Sequence, residues 1–156
     1  MPSAFGLPKQ LPVSTVGGLT VAGTTKIQQV KEVTTVTAVA ATGTIAYDVL
    51  TQAVLYATAS AAANWTLNIR GSSAASLDSI MAVGEAITVA HLVTQGATPY
   101  YNNVLTVDGA ANTPKWLGGV APTAGNASSI DVYTYAIIKT AVATFTVIAS
   151  QTQAKQ

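Results

Sequence analysis

Cysteine and charged residues are what this 156-residue sequence most clearly lacks. It contains no cysteine, which excludes a disulfide framework and any metal site built on thiolates. Only 8% of its residues are charged, against about 25% in typical soluble domains. A surface with so little charge has weak electrostatic protection against association. The composition therefore favours a subunit whose faces are covered by neighbours in an assembly.

Long apolar runs and clusters of basic residues are also missing. The hydrophobic residues are mostly Ala and Val interrupted by Thr, Ser, Asn and Gly, so no stretch reaches the roughly 18 apolar residues of a membrane span. The seven Lys and Arg residues are scattered singly, which argues against nucleic-acid binding because no basic stripe is available for phosphates. The first residues contain three prolines and no apolar core, so we expect no secretory signal there.

The N-terminal segment, residues 1–17, is predicted to be an extended arm. Three prolines remove backbone donors and fix φ in it: Pro2, Pro8 and Pro12. Its apolar side chains would be poorly hydrated in a free chain, and we assign them to anchoring on a partner: Phe5, Leu7, Leu11 and Val13. A disordered tail is the alternative. With a glycine hinge and a short strand over residues 19–25, the arm and linker cover residues 1–25 and a domain covers residues 26–156.

Short strands separated by Gly, Asn and Pro turns dominate the domain. The β-branched run over residues 26–40 favours a strand, although its charges also allow a helix in the first half. Residues 43–60 alternate well enough to form one long strand or two. Residues 64–71 alternate cleanly, with three apolar side chains on one face: Trp65, Leu67 and Ile69. Further strands are expected over residues 87–93 and 101–107.

Turn and cap signals complete the prediction of the fold. Asp108-Gly109 is a two-residue hairpin turn, and Ser76 is an N-cap before one short helix or helical turn over residues 76–86. Residues 129–140 and 141–150 both alternate and are predicted to pair as a terminal hairpin through Thr140-Ala141. We therefore predict an all-β protein: an antiparallel β-sandwich, jelly-roll-like, with one short helix and an extended N-terminal arm. Residues 129–140 form a central strand, and Lys115-Trp116 closes one edge.

The aromatic residues allow three interpretations: subunit interface, core or glycan contact. The apolar set Ile130, Val132 and Ile138 is predicted to fill the core. The tyrosines of the opposite parity, Tyr133 and Tyr135, then face outward or towards a neighbouring subunit, where Tyr is favoured for its apolar body and polar tip. We assign four aromatic side chains to a subunit interface or surface contact: Tyr101, Tyr133, Tyr135 and Trp116.

No catalytic or metal-binding constellation is evident in the sequence. The six carboxylates do not stand at spacings that form an acid/base dyad on a strand or helix. His91 is the single histidine, on an alternating strand between Val89 and Val93, and we expect it to be buried and hydrogen-bonded or in an interface. We therefore expect no enzyme activity, no cofactor and no metal. A polysaccharide depolymerase is the enzymatic alternative, and it would use Asp131 or Glu85.

Four segments are distinctive: WTLNIR at 65–70, LDSIM at 77–81, PKW at 114–116 and GNASSIDVY at 125–133. With their surroundings, over residues 43–153, they resemble a domain that recurs in structural proteins of tailed bacteriophages, especially marine and cyanobacterial ones. In those proteins the domain often ends fibre-like or virion-surface chains. The resemblance implies a non-enzymatic component of a virion.

The arm and the resemblance together predict a capsid decoration or cement protein, or another surface accessory protein, anchored through the arm. The chain is arm plus domain without a long repetitive shaft, so a full-length tail fibre fits less well. The alternative is a tail-fibre or receptor-binding tip that binds a host surface glycan. The expected partners are other copies of the chain, as a homotrimer, and a capsid or appendage protein of the same virion. The expected location is the virion surface, after assembly in the host cytoplasm.

Overall fold

The computed structural model describes residues 23–155 except Thr25 and Ile27. The predicted arm and its four anchoring side chains lie outside these residues, as does most of the strand predicted over residues 19–25. The chain divides into two units, Met1–Val30 and Lys31–Gln156. In the first unit, the described residues are exposed and belong to no strand or helix. The second unit is a β-rich domain.

Two β-sheets make up this domain. The larger sheet has six strands: β1 (Thr34–Thr37), β3 (Val54–Ala57), β5 (Ala86–Thr94), β8 (Lys115–Trp116), β9 (Ile130–Ala141) and β10 (Thr144–Ala154). The smaller sheet has four strands: β2 (Gly43–Asp48), β4 (Trp65–Arg70), β6 (Asn102–Val107) and β7 (Ala110–Asn112). The strands follow the order β1-β3-β5-β9-β10-β8 in the larger sheet and β2-β4-β6-β7 in the smaller one. The prediction of a mainly β protein with one short helix is confirmed.

The first six strands alternate between the two sheets, and this winding makes most of their neighbours parallel. β1, β3 and β5 are parallel in the larger sheet, and β2, β4 and β6 are parallel in the smaller one. Among the described strands, the antiparallel pairs are β5–β9, β9–β10 and β6–β7. The prediction of a purely antiparallel, jelly-roll-like sandwich is therefore wrong. Each early strand is followed by a crossing to the other sheet instead of a hairpin, so the next strand of its own sheet runs in the same direction.

The two predicted turns have different outcomes. Asp108-Gly109 joins β6 to β7 with φ angles of 51° and 80°, the positive values that a two-residue hairpin requires. The terminal hairpin β9–β10 is also present. However, Ala141 still pairs with Thr144, so the turn lies at Val142-Ala143 and the predicted connection at Thr140-Ala141 is too early.

The core lies between the two sheets. β4 contributes the predicted face to it: Trp65, Leu67 and Ile69. β9 contributes the face opposite to the predicted one: Tyr133, Tyr135 and Ile137. The residues predicted to fill the core from this strand are only half-buried: Ile130, Val132 and Ile138. Because both faces of β9 are largely apolar, alternation does not choose between them, and the larger rings fill the space between the sheets.

The single described helix, α1 (Leu77–Ile80), is shorter than the predicted stretch 76–86. Ser76 caps it by accepting a hydrogen bond from the backbone nitrogen of Ser79 at 3.1 Å, as its position predicts. The backbone is already extended at Met81, where the helix ends. Among the described residues, no helix is long and apolar enough to cross a membrane.

Two charged residues, one from the β6–β7 turn and one from β9, hold this one-turn helix. The Asp108 carboxylate accepts hydrogen bonds from the backbone nitrogens of Leu77 and Asp78 at 2.6 and 2.9 Å. At the other end, Lys139 Nζ donates to the carbonyls of Asp78 and Met81 at 2.6 and 2.8 Å. Lys139 also pairs with the Asp78 carboxylate at 2.7 Å, which lowers the pKa of Asp78. These contacts satisfy helix-end groups that a single turn leaves free.

Candidate functional site

Tyr133 and Tyr135 lie in the core and not on the surface. Their rings stack at an interplanar angle of 6° with centroids 6.4 Å apart, and Trp65 meets Tyr133 edge-on at 5.6 Å. Burial raises the pKa of both phenols. The prediction that they face outward is wrong. Both hydroxyl groups find hydrogen-bond partners inside the protein, so the rings can fill the core without leaving a polar atom unpaired.

Asn102 supplies those partners. Its side-chain oxygen accepts a hydrogen bond from the Tyr135 hydroxyl at 2.9 Å, and its backbone nitrogen donates to the Tyr133 hydroxyl oxygen at 3.3 Å. Its side-chain nitrogen donates to the carbonyls of Trp65 and Val104 at 2.9 and 2.8 Å. Asn102 therefore ties β6 to β4 and to β9 across the core. Its strand was predicted, but the role of Asn102 was missed, because most of its partners come from other strands.

Trp116 and Tyr101 are partly exposed. Trp116 lies on β8, the outermost strand of the larger sheet, so the predicted edge position is confirmed. Its ring meets the Tyr135 ring at 68° with centroids 6.5 Å apart. A shallow cleft of about 300 Å³ runs beside it and is also lined by Asn103 and Asn112. Surface contact by Trp116 and Tyr101 stays a prediction.

Asp131, which the enzymatic alternative would use, is fully buried. Its carboxylate accepts four hydrogen bonds at 2.6–3.2 Å, one from the backbone nitrogen of Asn126 and three from side-chain amides: Gln95, Asn126 and Gln151. Gly125 packs so closely here that a side chain at this position would collide with the carbonyl of Tyr100. The carboxylate therefore joins three segments of the chain, and a substrate cannot reach it.

Glu85, the other carboxylate of that alternative, is exposed and accepts a hydrogen bond from the backbone nitrogen of Ala82 at 2.7 Å. It lies next to Lys139, at the opposite end of β9 from Asp131. The structure therefore does not bring the two carboxylates together. Among the residues that the structure describes, no three His, Asp or Glu side chains are grouped so that they could hold a metal ion.

His91 is buried on β5 without a hydrogen bond. It is 0% exposed, and neither ring nitrogen meets a partner among the described residues. Trp65 packs edge-on against the imidazole with centroids 5.8 Å apart. Burial lowers the pKa of His91 to about 4, so the ring is neutral at neutral pH. The predicted burial is confirmed, whereas the structure shows no internal hydrogen bond.

His91 faces a side of the sandwich that we call the open side, formed by β1, β2 and the cleft between them. β1 is the outermost strand of the larger sheet and β2 the outermost strand of the smaller one. The cleft has a volume of about 360 Å³. Apart from His91, its lining is apolar or threonine, and includes Thr35, Thr37, Val39, Ala41, Ile45 and Leu55.

β1 has free backbone groups along its outer edge. The carbonyls of Val33 and Thr37 accept hydrogen bonds from the β3 side. Peptide groups alternate in direction along a strand, so those of Thr34 and Val36 point to the outer edge. No described strand pairs with that edge. An edge of this kind is a template for another strand.

The chain leading into and through β1 also exposes valine side chains. Four valines at three-residue intervals are 62–70% exposed: Val30, Val33, Val36 and Val39. Side chains alternate in direction along an extended chain, so valines three residues apart point to opposite faces. Soluble proteins usually protect an edge strand with charge, proline or a covering segment. β1 itself carries no charged residue and no proline.

A second apolar groove, of about 550 Å³, lies between α1, β5 and the connection from β2 to β3. Leu50 and Ile80 border it and are exposed, at 60% and 38%. Among the described residues, this groove and the open side both leave apolar surface uncovered.

No family model, no curated protein sequence and no solved structure matches this chain.

Proposed function

We propose that this chain is a structural, non-enzymatic protein of a bacteriophage virion: a capsid decoration or cement protein, or another surface accessory protein, anchored by its N-terminal arm. The open side carries the proposal, because an edge strand that no described strand covers stands there beside a cleft lined by apolar and threonine side chains. The charged fraction of 8% supports it, because a surface with so few charges repels neighbouring molecules only weakly in solution. Surfaces of this kind are suited to burial against neighbours.

The resemblance of residues 43–153 to a domain of tailed-phage structural proteins supports a virion as the assembly. A small domain with an arm suits a protein that is added to a shell or appendage already built. The arm provides the anchor through four apolar side chains: Phe5, Leu7, Leu11 and Val13. Burying such a side chain contributes about 1.5–3 kcal/mol, so four of them supply a useful part of the anchoring free energy.

Deletion of residues 1–17 tests the anchor. The truncated protein should fold, because the core residues that the structure describes all lie within Lys31–Gln156, but it should no longer be incorporated into particles. Purified particles would be assayed by quantitative immunoblot, and electron microscopy of intact particles would locate the full-length protein. Lys9→Ala and Gln10→Ala, which remove polar arm side chains, serve as controls and should be incorporated normally. Normal occupancy by the truncated protein would refute the anchor, and absence of the full-length protein from every particle would refute the function.

The cleft beside Trp116 favours a second candidate, a tail-fibre or receptor-binding tip that binds a host glycan. A partly exposed aromatic ring next to asparagine side chains offers both an apolar face and hydrogen-bonding groups to a sugar. Binding of the purified protein to host polysaccharide should then be lost in Trp116→Ala or Tyr101→Ala, with Val142→Ala as an exposed control. Tyr133→Ala gives no test of binding, because that ring is part of the core.

A further inference from the structure

We infer that the open side of one subunit is the docking site for the N-terminal arm of a second copy, whose residues 5–13 add to the larger sheet as a strand parallel to β1. The inference rests on the proposed function, because it names the neighbour that the arm grips. Four observations carry it: the cleft, the free edge of β1, the order of residues in the arm, and the path of the chain ahead of β1.

The cleft suits an extended apolar peptide. Its volume of about 360 Å³ accommodates a few apolar side chains between walls of valine, isoleucine, leucine, alanine and threonine. His91 lies in the lining with both ring nitrogens unpartnered among the described residues. His91 is 0% exposed, so an occupant of the cleft contacts its apolar and threonine walls and not the imidazole nitrogens.

The backbone pattern of β1 determines which residues of an added strand can bond to it. Thr34 and Val36 turn their peptide groups outward, while the side chains of Thr35 and Thr37 line the cleft. In an antiparallel pair, the added residues that bond to Thr34 and Val36 would have side chains on the face away from the cleft. In a parallel pair, the bonding residues have side chains on the cleft face. A strand added in either direction sends alternate side chains into the cleft, but only in a parallel pair do those same residues also bond to β1. Parallel addition also continues the parallel series β5, β3, β1.

The arm has one face and one edge that match this geometry. Its anchoring side chains occupy odd positions: Phe5, Leu7, Leu11 and Val13. Its prolines occupy even positions: Pro2, Pro8 and Pro12. Residues two apart in a strand point their side chains to the same face and their N–H groups to the same edge. The odd-numbered residues, which carry the apolar side chains, therefore all have an N–H donor on one edge. The prolines, which lack this donor, all lie on the other edge. Proline is tolerated where an edge strand faces solvent. Lys9 shares the apolar face, and its long side chain can extend past the cleft to water.

The path of the chain ahead of β1 favours a second copy as the source of the arm. Within the domain, β2 in the smaller sheet leads into β3 and β4 leads into β5. The described residues ahead of β1, from Gly23 to Val33 apart from Thr25 and Ile27, are exposed and outside any strand. These residues therefore do not continue the alternation of strands between the two sheets. An arm that docks on the next subunit makes a head-to-tail contact, which closes into a ring such as the expected trimer or continues as a row.

The absence of native cysteine permits a disulfide test between copies. Val36→Cys chains are mixed with chains carrying one cysteine on the even face of the arm, at Gly6→Cys, Gln10→Cys or Ser14→Cys, and are mildly oxidised. Parallel docking places Val36 and the even arm residues on the same face, with opposed Cβ atoms about 5 Å apart. We expect one arm position to give a mixed disulfide dimer as the main product on a non-reducing gel. In the matched control, the chain with Val36→Cys is replaced by a chain with Val142→Cys, whose cysteine lies at an exposed turn. This mixture should give only a background level of disulfide-linked dimer.

A chain that carries both Val36→Cys and an arm cysteine shows whether the docked arm comes from the same copy or from another copy. Linked dimers and larger species support docking between copies, whereas a monomer with an internal disulfide overturns it. Absence of a link at all three arm positions overturns the docking site itself. These outcomes are independent of the particle experiment: a protein found in virions without the link refutes only this inference, and a linked protein absent from virions refutes only the proposed function.

A matched pair of proline substitutions tests the edge of the arm. Lys9→Pro removes a donor from the edge that bonds to β1, and Gln10→Pro removes one from the free edge. Light scattering should show that Lys9→Pro lowers the molar mass of the oligomer, while Gln10→Pro leaves it unchanged. Equal effects of the two substitutions would overturn the proposed edge.

Discussion

Single side chains decide the chemistry of this core, because several of them are polar. Asn102, Asp131 and Lys139 are buried with hydrogen-bond partners, whereas His91 is buried with none among the described residues. The two cases have opposite consequences. A satisfied polar group fixes the positions of its neighbours, while an unsatisfied base resists protonation and makes stability depend on pH.

The free energy of unfolding should decrease as the pH is lowered from about 6.5 to about 4. In the unfolded chain, His91 gains a proton near its ordinary pKa of 6.5, whereas burial lowers its pKa in the folded protein to about 4. The unfolded state therefore binds more protons over this range. The resulting loss is up to about 1.4 kcal/mol per pH unit, and this group adds no further loss below about pH 4. Urea unfolding at several pH values, followed by tryptophan fluorescence, measures the slope.

His91→Leu is the control for this slope, because the chain has no other histidine. Its free energy of unfolding should vary much less between about pH 6.5 and pH 5, a range in which ordinary carboxylates are still mostly ionised. Equal slopes for the two proteins would show that the imidazole is not buried in its neutral form.

For the strands, the alternation of apolar and polar residues predicted the buried face only where the other face is polar. β4 has Asn, Thr and Arg opposite its apolar residues, so its core face could be predicted. β9 has apolar residues on both faces, and the choice between them depends on Asn102, which comes from another strand and satisfies the tyrosine hydroxyl groups. That contact has no local signature in the sequence.

Pairing between strands was harder to predict than the strands themselves. The Asp108-Gly109 turn follows from two adjacent residues, but the parallel pairs depend on crossings through the opposite sheet. In the candidate site, the burial of His91 follows from its valine neighbours on an alternating strand. The open side could not be predicted, because it is defined by which strands lie beside β1 and β2 in space.

Lys139→Met should destabilise the protein by about 1.5–3 kcal/mol, because two carbonyls at the end of α1 lose a charged donor. Asp78→Asn should destabilise it less. The carboxylate of this pair is 28% exposed and therefore screened by water, whereas the lysine side chain is only 7% exposed. Urea unfolding of both variants at neutral pH compares them. A larger loss for Asp78→Asn would show that the ion pair, and not the helix-end contact, is what matters.

For the whole molecule, the balance between charge and uncovered apolar surface determines its behaviour in solution. The net charge is only +1, so electrostatic repulsion between copies is weak. Apolar surface can then associate with other molecules at the exposed valines in and beside β1 and at the groove beside Leu50.

Lysine at the exposed edge should keep the purified protein from associating. The double variant Val36→Lys/Val39→Lys places charge on and beside β1, the device by which natural edge strands avoid pairing. Its weight-average molar mass in sedimentation equilibrium should lie below that of the unmodified protein at the same concentration. Val142→Lys, at a turn where the valine is 76% exposed, is the control and should associate like the unmodified protein. Equal masses for all three proteins would show that association does not involve β1.

The alternating path of the first six strands also has a consequence for synthesis in the cell. β1 and β3 join the rest of their sheet through β5, and β5 is joined to the remainder through β9. A ribosome therefore releases the N-terminal strands well before the C-terminal hairpin that completes their sheet. Pairings between such distant segments form slowly, and unpaired apolar strands are prone to aggregate while they wait. The early strands of the larger sheet can thus be completed only after β9 and β10 have been synthesised, and chaperones have that interval in which to bind them.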